Sequence, residues 1–276
     1  MSTPTLTREA ARAGGRRTPA RRRILAERKG RGALRLLSLI VLLALWEWYG
    51  RHTSPLLFTY PTAIVQAGVD MVKDGTLLTA LGQSMTVLAW GFALGTVAGV
   101  AVGLAMGRSP VFAGLLELPV TALYATPMVA LVPVFALWFG FGMVMKIVVV
   151  LFFTFFPVLI NTSVGVQEVD PKLVEVARAF CSSERRLWTD LVLPSALPYI
   201  LAGIRLAIGR GLTGVIVAEF YAALSGLGYL IESNANSFHT ARVFVPIVVL
   251  MILGVASTAV LGMIEARFAP WRSQAR

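Results

Sequence analysis

The sequence predicts an all-α, polytopic membrane protein of six transmembrane helices, and three observations carry that expectation. The chain is 57% hydrophobic and only 14% charged, where a soluble domain holds about a quarter charged residues. Apolar stretches of the ~18 or more residues needed to cross a hydrocarbon core recur along it. They fall at 33–50, 77–106, 111–139, 143–166, 198–222 and 243–264, six in all. Finally, the net charge of +11 is sorted by segment. If the amino terminus is cytoplasmic, Arg108, the basic cluster 172–186 and the tail 267–276 also fall inside, and only Arg51, Lys73, Lys146 and Arg242 fall outside. That asymmetry places both termini in the cytoplasm. The same sorting, with no basic surface interleaved with aromatics, argues against nucleic-acid binding.

Taken in order, residues 1–32 form a basic tail, rich in Arg, Ala, Gly and Thr, that has no apolar face to bury and is expected to be disordered and cytoplasmic. The membrane domain follows over 33–267, and 268–276 is a second cytoplasmic tail. The first span is a retained anchor rather than a cleaved signal. Trp46-Glu47-Trp48-Tyr49 stands where a cleavage site needs small residues, and its aromatics suit a membrane interface. After Pro55-Leu56-Leu57-Phe58-Thr59-Tyr60-Pro61, the amphipathic segment 63–72 reads as a connection near the outer interface, kept solvated by Asp70, Lys73 and Asp74.

The second span carries Gly91, Gly95, Gly99, Gly103 and Gly107 at four-residue intervals. Such a small-residue stripe admits another helix backbone at close range, within the subunit or between subunits. In the third span, Pro119, Pro127 and Pro133 each remove a backbone donor, so the helix must kink or break. Broken backbone at membrane depth is tolerated against protein or along a cavity. Thr126 and Pro127 are therefore candidates for lining a pathway, with a plain packed kink as the alternative. Charges in the spans are few, and most lie near ends from which they can snorkel. Glu219 lies deeper, and two readings stand open: a functional intramembrane carboxylate, or a structural hydrogen bond to a neighbouring helix. Beyond it, Ser225-Gly226-Leu227-Gly228 breaks the helix.

Between spans four and five, at 168–194, lies the segment with the most information. Asp170-Pro171 is a helix start, because the carboxylate caps free amides and proline at the first position forfeits nothing. A short helix over 171–180 follows, with Leu173, Val176, Ala177 and Phe180 on one apolar face and Lys172, Glu175 and Arg178 elsewhere. Cys181-Ser182-Ser183 makes a turn. Ser183 caps a second amphipathic helix bearing Leu187, Trp188, Leu191 and Val192, which Pro194 and Pro198 are expected to end or bend. The result is a compact knob, suited to a groove in a partner or to the lipid surface.

Glu175, Val176 and Ala177, then Cys181, then Leu191, Leu193 and Pro194 resemble the cytoplasmic coupling loop of permease subunits of bacterial ABC importers. The family pattern is Glu-Ala-Ala, three residues, Gly, nine residues, an apolar residue, one more, then Leu-Pro. Val176 and Cys181 depart from it, at the second Ala and at the Gly. The likeness extends over about 33–267. Ser84, Thr126-Pro127, Trp138-Phe139-Gly140-Phe141-Gly142, Asn161-Thr162, Gly203, Arg205, Glu219 and Gly226-Leu227-Gly228 are similar to the nitrate, sulfonate and taurine branch of this binding-protein-dependent transport family.

That resemblance implies a type I importer permease with a six-span core in a bacterial inner membrane, dimerised around a central path for a small solute such as nitrate, a sulfonate or taurine. It also implies two cytoplasmic ATPase subunits and an extracytoplasmic solute-binding protein. Glu175, Ala177 and Cys181 would position the knob against the ATPase. Arg185 and Arg186 would pair with its acidic groups or simply follow the charge asymmetry.

No Gly-Lys-Ser/Thr phosphate loop occurs, so energy is expected from a partner. One cysteine forbids an intrachain disulfide, and two histidines in separate loops do not make a metal site. No enzyme constellation, cofactor site or metal site is expected. The rival is an ion-gradient-driven transporter or channel with Glu219 as its proton or cation site.

Overall fold

The computed structural model describes residues 28–54, 56–222 and 224–268. The expected tail ahead of residue 28 and the stretch 269–276 lie outside the described residues. Among those described, the chain is helical throughout, with no strand: α1 Arg28–Arg51, α2 Pro61–Lys73, α3 Thr76–Arg108, α4 Pro110–Ala125, α5 Met128–Phe139, α6 Met143–Gln167, α7 Pro171–Ala179, α8 Glu184–Ala222, α9 Leu227–Asn236 and α10 Thr240–Phe268. By length and composition α3, α6, α8 and the 240–263 part of α10 can each cross a membrane, and α4 with α5 makes a fifth if the bent pair is one span. The expected first span lies within α1, which already begins at Arg28.

Burial is inverted relative to a soluble protein. Leu36, Leu37, Ile40, Leu42 and Leu45 of α1 are exposed, as are Met251, Ile252 and Val255 of α10. Hydrocarbon is the solvent such surfaces require. α1 is tied at its end: Trp46 Nε1 donates to the Thr59 carbonyl at 2.8 Å, and the Glu47 carboxylate accepts from the Thr62 hydroxyl and amide.

The segment expected near the interface is α2. Pro61 occupies its first turn, Ile64 and Met71 pack against Leu77, Leu227 and Val245, and Asp70, Lys73 and Asp74 stay exposed. The Asp74 carboxylate accepts the Thr76 hydroxyl and amide, which together hold its pKa below the usual range.

At the centre stands α6, with Val149, Val150 and Val158 fully buried. The glycine stripe of α3 faces it, so the stripe serves packing within the subunit. A Cβ on Gly91, Gly95, Gly99, Gly103 or Gly107 would strike Val150, Thr154, Val158, Thr162 or Val166 respectively. Five glycines thus interlock with five β-branched residues at the same spacing. Because valine has one strongly preferred rotamer in a helix and threonine only two, the ridge is largely fixed before the helices meet. The opposite side of α6 packs on α8, where Gly203 lies against Asn161 and the Pro157 carbonyl, and Gly214 against Phe153.

The third expected span is broken rather than kinked. α4 and α5 meet at 99°, with Thr126 extended at the junction as the residue before a proline prefers. Pro119 and Pro133 sit inside their helices. The Thr126 amide and hydroxyl both donate to the Ala122 carbonyl, so the break leaves few orphan groups. α5 buries Val132, Phe135 and Ala136 against Met145, Val149, Phe153 and Ala218.

One expectation is corrected. Pro194 and Pro198 do not end the helix after Ser183, which runs unbroken from Glu184 to Ala222. The turn at Leu187–Val192 is π-helical, with the Leu193 amide bonding the Trp188 carbonyl. That widened turn falls immediately before Pro194 and accommodates a residue that offers no donor and crowds the preceding turn.

Candidate functional site

Two groupings of candidate functional residues emerge, at opposite ends of the bundle. The first is the knob. The Asp170 carboxylate accepts the Lys172 amide at 2.9 Å, and Pro171 opens α7. The helix closes in a Schellman motif: the Cys181 amide bonds the Arg178 carbonyl at 2.9 Å and the Ser182 amide bonds the Ala177 carbonyl at 3.1 Å. This motif needs a left-handed residue, and Cys181 takes that role with φ 55°. Ser183 Oγ then accepts the Arg186 amide and starts α8. Both helix ends at the turn are therefore capped, and the knob is a defined shape.

Its interior is Val166, Val169, Leu187, Val192, Ala196 and Ile200, with Val174, Ala177, Trp188 and Leu191 partly buried against them. Of the apolar face expected on α7, only Ala177 faces this interior. Leu173 is 49% exposed, Val176 52% and Phe180 83%. Three large apolar side chains on a capped helix face outward at one end of the bundle.

Glu175, Arg178 and Glu184 line a cleft of about 460 Å³ beside the knob, with Arg108 and Trp188 across it. The Arg108 guanidinium lies 5.2 Å from the Trp188 ring, a cation–π contact. Cys181, Arg185 and Pro194 are exposed, and Leu193 is half-buried.

The second grouping surrounds Glu219, whose side chain is fully buried. Ser84 Oγ donates to Glu219 Oε1 at 2.7 Å, and the Gly228 amide donates to Oε2 at 2.8 Å. Ser84 Oγ in turn accepts the Leu227 amide at 2.8 Å. Gly226 has φ 105°, and a Cβ there would strike the Glu219 carboxylate, so this glycine is required twice over. From α6, the 4%-exposed Lys146 reaches across and donates to both the carbonyl and the hydroxyl of Ser225, at 2.8 and 2.9 Å. Nothing in the neighbouring sequence points to Ser225 as the partner of Lys146; the one local signal is a charge four residues into an apolar helix.

Knob and carboxylate do not meet. Twenty-six residues of helix separate Leu193 from Glu219, roughly 39 Å at 1.5 Å per residue. Thr126 and Pro127 join neither grouping. The cavity of about 530 Å³ beside α4 is lined instead by Glu117, Thr121, Ser163 and Gln167, among others. No set of three or more His, Cys, Asp or Glu side chains able to hold a metal ion occurs among the described residues.

Long apolar helices packed through glycines, a broken span and a capped knob at one end define a polytopic α-helical membrane protein. The chain belongs to the family of inner membrane components of binding-protein-dependent transport systems, which it matches over residues 91–270. It is 34% identical over 240 residues to a putative aliphatic sulfonates transport permease of Bacillus subtilis, covering 86% of this chain and 87% of that one. To the taurine transport system permease of Escherichia coli it is 31% identical, over 86% of this chain and 89% of that one. To a formylaminopyrimidine transport permease of Halalkalibacterium halodurans it is 30% identical, over 86% and 95%. Its fold is similar to the crystal structure of an amino acid ABC transporter with histidines, with TM-score 0.57 and 16% identity over 72% of this chain and 96% of that one.

Proposed function

We propose that the chain is the permease subunit of an ABC importer for a small anion such as a sulfonate, nitrate or taurine. It forms the path as a homodimer, draws energy from separate cytoplasmic ATPase subunits, and receives solute from an extracytoplasmic binding protein. Sulfonate and taurine permeases among its relatives support the substrate class.

The observation that carries the coupling role is the knob. Leu173, Val176 and Phe180 are exposed on a helix capped at both ends, a geometry that fits an amphipathic helix seated in a partner's groove. Closure of two ATPases would push both knobs and rock the bundles between openings. The charge asymmetry supports a cytoplasmic location for the knob and both termini.

The ion-gradient alternative with Glu219 as an exchange site has less support. Both oxygens of that carboxylate are engaged by Ser84 and Gly228, in keeping with a structural role. Reconstitution tests the reading. The purified chain alone should neither hydrolyse ATP nor accumulate solute, and adding ATPase and binding protein should give ATP-dependent uptake. Uptake by the chain alone under a proton gradient would overturn it.

A further inference from the structure

We propose that a cavity at the end of the bundle opposite the knob is an anion-binding site, with the Lys146 ammonium as its recognition group. The cavity measures about 350 Å³ and is lined by Gln83, Thr86, Phe141, Lys146 and Ser225, among others. The proposal deepens the anion-import reading and rests on it, since it names a place where an incoming oxyanion is received.

Three features of the site point to such a ligand. Lys146 is 4% exposed, and a buried ammonium is costly unless paired. Its hydrogen bonds are two, both to neutral acceptors of Ser225, and although Glu219 interacts with it electrostatically, Lys146 forms no ion pair closer than 4.0 Å among the described residues. An ammonium has three donors, so one remains for the cavity. Next, the Glu219 carboxylate interacts with Lys146 through space, but it is hydrogen-bonded to Ser84 and Gly228 and does not line the cavity, so the wall itself presents a cationic group and no carboxylate. Third, Thr79, Gln83 and Thr86 are exposed at helical spacing on α3. The Thr79 and Thr86 hydroxyls are satisfied by the Gly75 and Gly82 carbonyls of their own helix, which leaves the Gln83 amide as the polar group that is misplaced against lipid and fits a wetted approach to Lys146. The Gln83 amide has no hydrogen-bond partner among the described residues, which adds a neutral donor to the cationic one.

One cationic donor, one amide donor and a small volume select a small oxyanion of single charge, as a sulfonate is. The volume lies at the small end of ligand pockets, which run from about 300 Å³.

The test uses the full chain in nanodiscs, titrated calorimetrically with methanesulfonate. Wild type should bind saturably, Lys146→Gln should weaken binding by about tenfold or more, and Lys146→Arg should hold it within a few fold, as expected for loss or retention of a charge-assisted bond. Because Lys146 also holds Ser225, a second variant keeps the ammonium: Gln83→Glu, at an exposed position, places a carboxylate in the cavity and should abolish binding. Absence of binding to wild type, or equal binding to Lys146→Gln or Gln83→Glu, overturns the site. Transport separates the two levels. If the assembled importer carries no sulfonate while the chain binds methanesulfonate through Lys146, the import reading fails and the site stands. If sulfonate transport and binding are both indifferent to Lys146→Gln, the site fails and the import reading stands.

Discussion

The Ser84 hydroxyl donates to Glu219 Oε1 at 2.7 Å while accepting the Leu227 amide at 2.8 Å. One side chain on α3 thereby joins the end of α8 to the start of α9, beside the buried Leu227. Ser84→Ala leaves a fully buried carboxylate oxygen and a backbone amide without this partner, at a cost of about 1–3 kcal/mol for each unsatisfied group. Thermal unfolding of the detergent-solubilised protein should show a clear drop in Tm for Ser84→Ala and a larger one for Gly226→Ala, where φ and the carboxylate both exclude a Cβ.

Packing of α3 on α6 makes a positional prediction. Gly99→Ala sets a methyl against the Phe155 carbonyl and Val158, whereas Gly114→Ala meets nothing within 4 Å. Overpacking costs on the order of 1–3 kcal/mol. Gly99→Ala should therefore lower Tm and expression, with Gly114→Ala close to wild type. Equal stability of the two would mean the helices are further apart than described.

At the turn of the knob, Cys181 holds φ 55°, a region that costs a non-glycine residue roughly 1–2 kcal/mol. Cys181→Gly should be tolerated and should raise Tm slightly, and Cys181→Val should lower it. The thiol is exposed, so an impermeant maleimide should label it in inside-out vesicles and not in intact cells. Labelling should slow once an ATPase is bound. An unchanged rate in the assembled complex would remove the coupling role from this loop.

Phe180 is 83% exposed, so its replacement should hardly touch folding, since surface changes stay within about 0.5 kcal/mol. Phe180→Asp should leave Tm unchanged yet lower ATPase association and ATP-dependent transport by tenfold or more, the scale of a buried apolar anchor at an interface. Glu175→Arg should also impair transport while the protein remains in the membrane. Normal transport in both variants would show that the partner does not use this face.

Topology is checked with reporter fusions. Those after Asp74 and Asn236 should report an extracytoplasmic location, and those after Arg108 and Arg186 a cytoplasmic one. A cytoplasmic signal at Asn236 contradicts the six-span arrangement.

Much of the fold was legible because membrane helices obey a strong local rule: with no water to satisfy backbone groups, long apolar runs must be helical. The caps at Asp170 and Ser183, the glycine stripe and the break near Pro127 each follow from residues within a turn or two of one another. Less was legible in the knob. Helical spacing placed Leu173, Val176 and Phe180 on one face with Ala177, and only the packed bundle shows that Ala177 faces inward while the other three remain outside. Likewise, two prolines point to a helix end or bend near Pro194, and the π-helical turn just before it lets the helix continue instead.

The sequence by itself therefore determined the membrane class, the helices, the family and the position of the knob, because periodicity, caps and motif spacing act over short stretches of chain. Tertiary structure alone decided which side chains share a site. Ser84 lies 135 residues from Glu219, and Lys146 lies 79 from Ser225. No local pattern relates such pairs; they meet because five glycines let α3 close on α6 and the returning α8 brings its far end beside both. The partner of a buried charge is fixed by how helices pack, and that information is spread over the whole bundle.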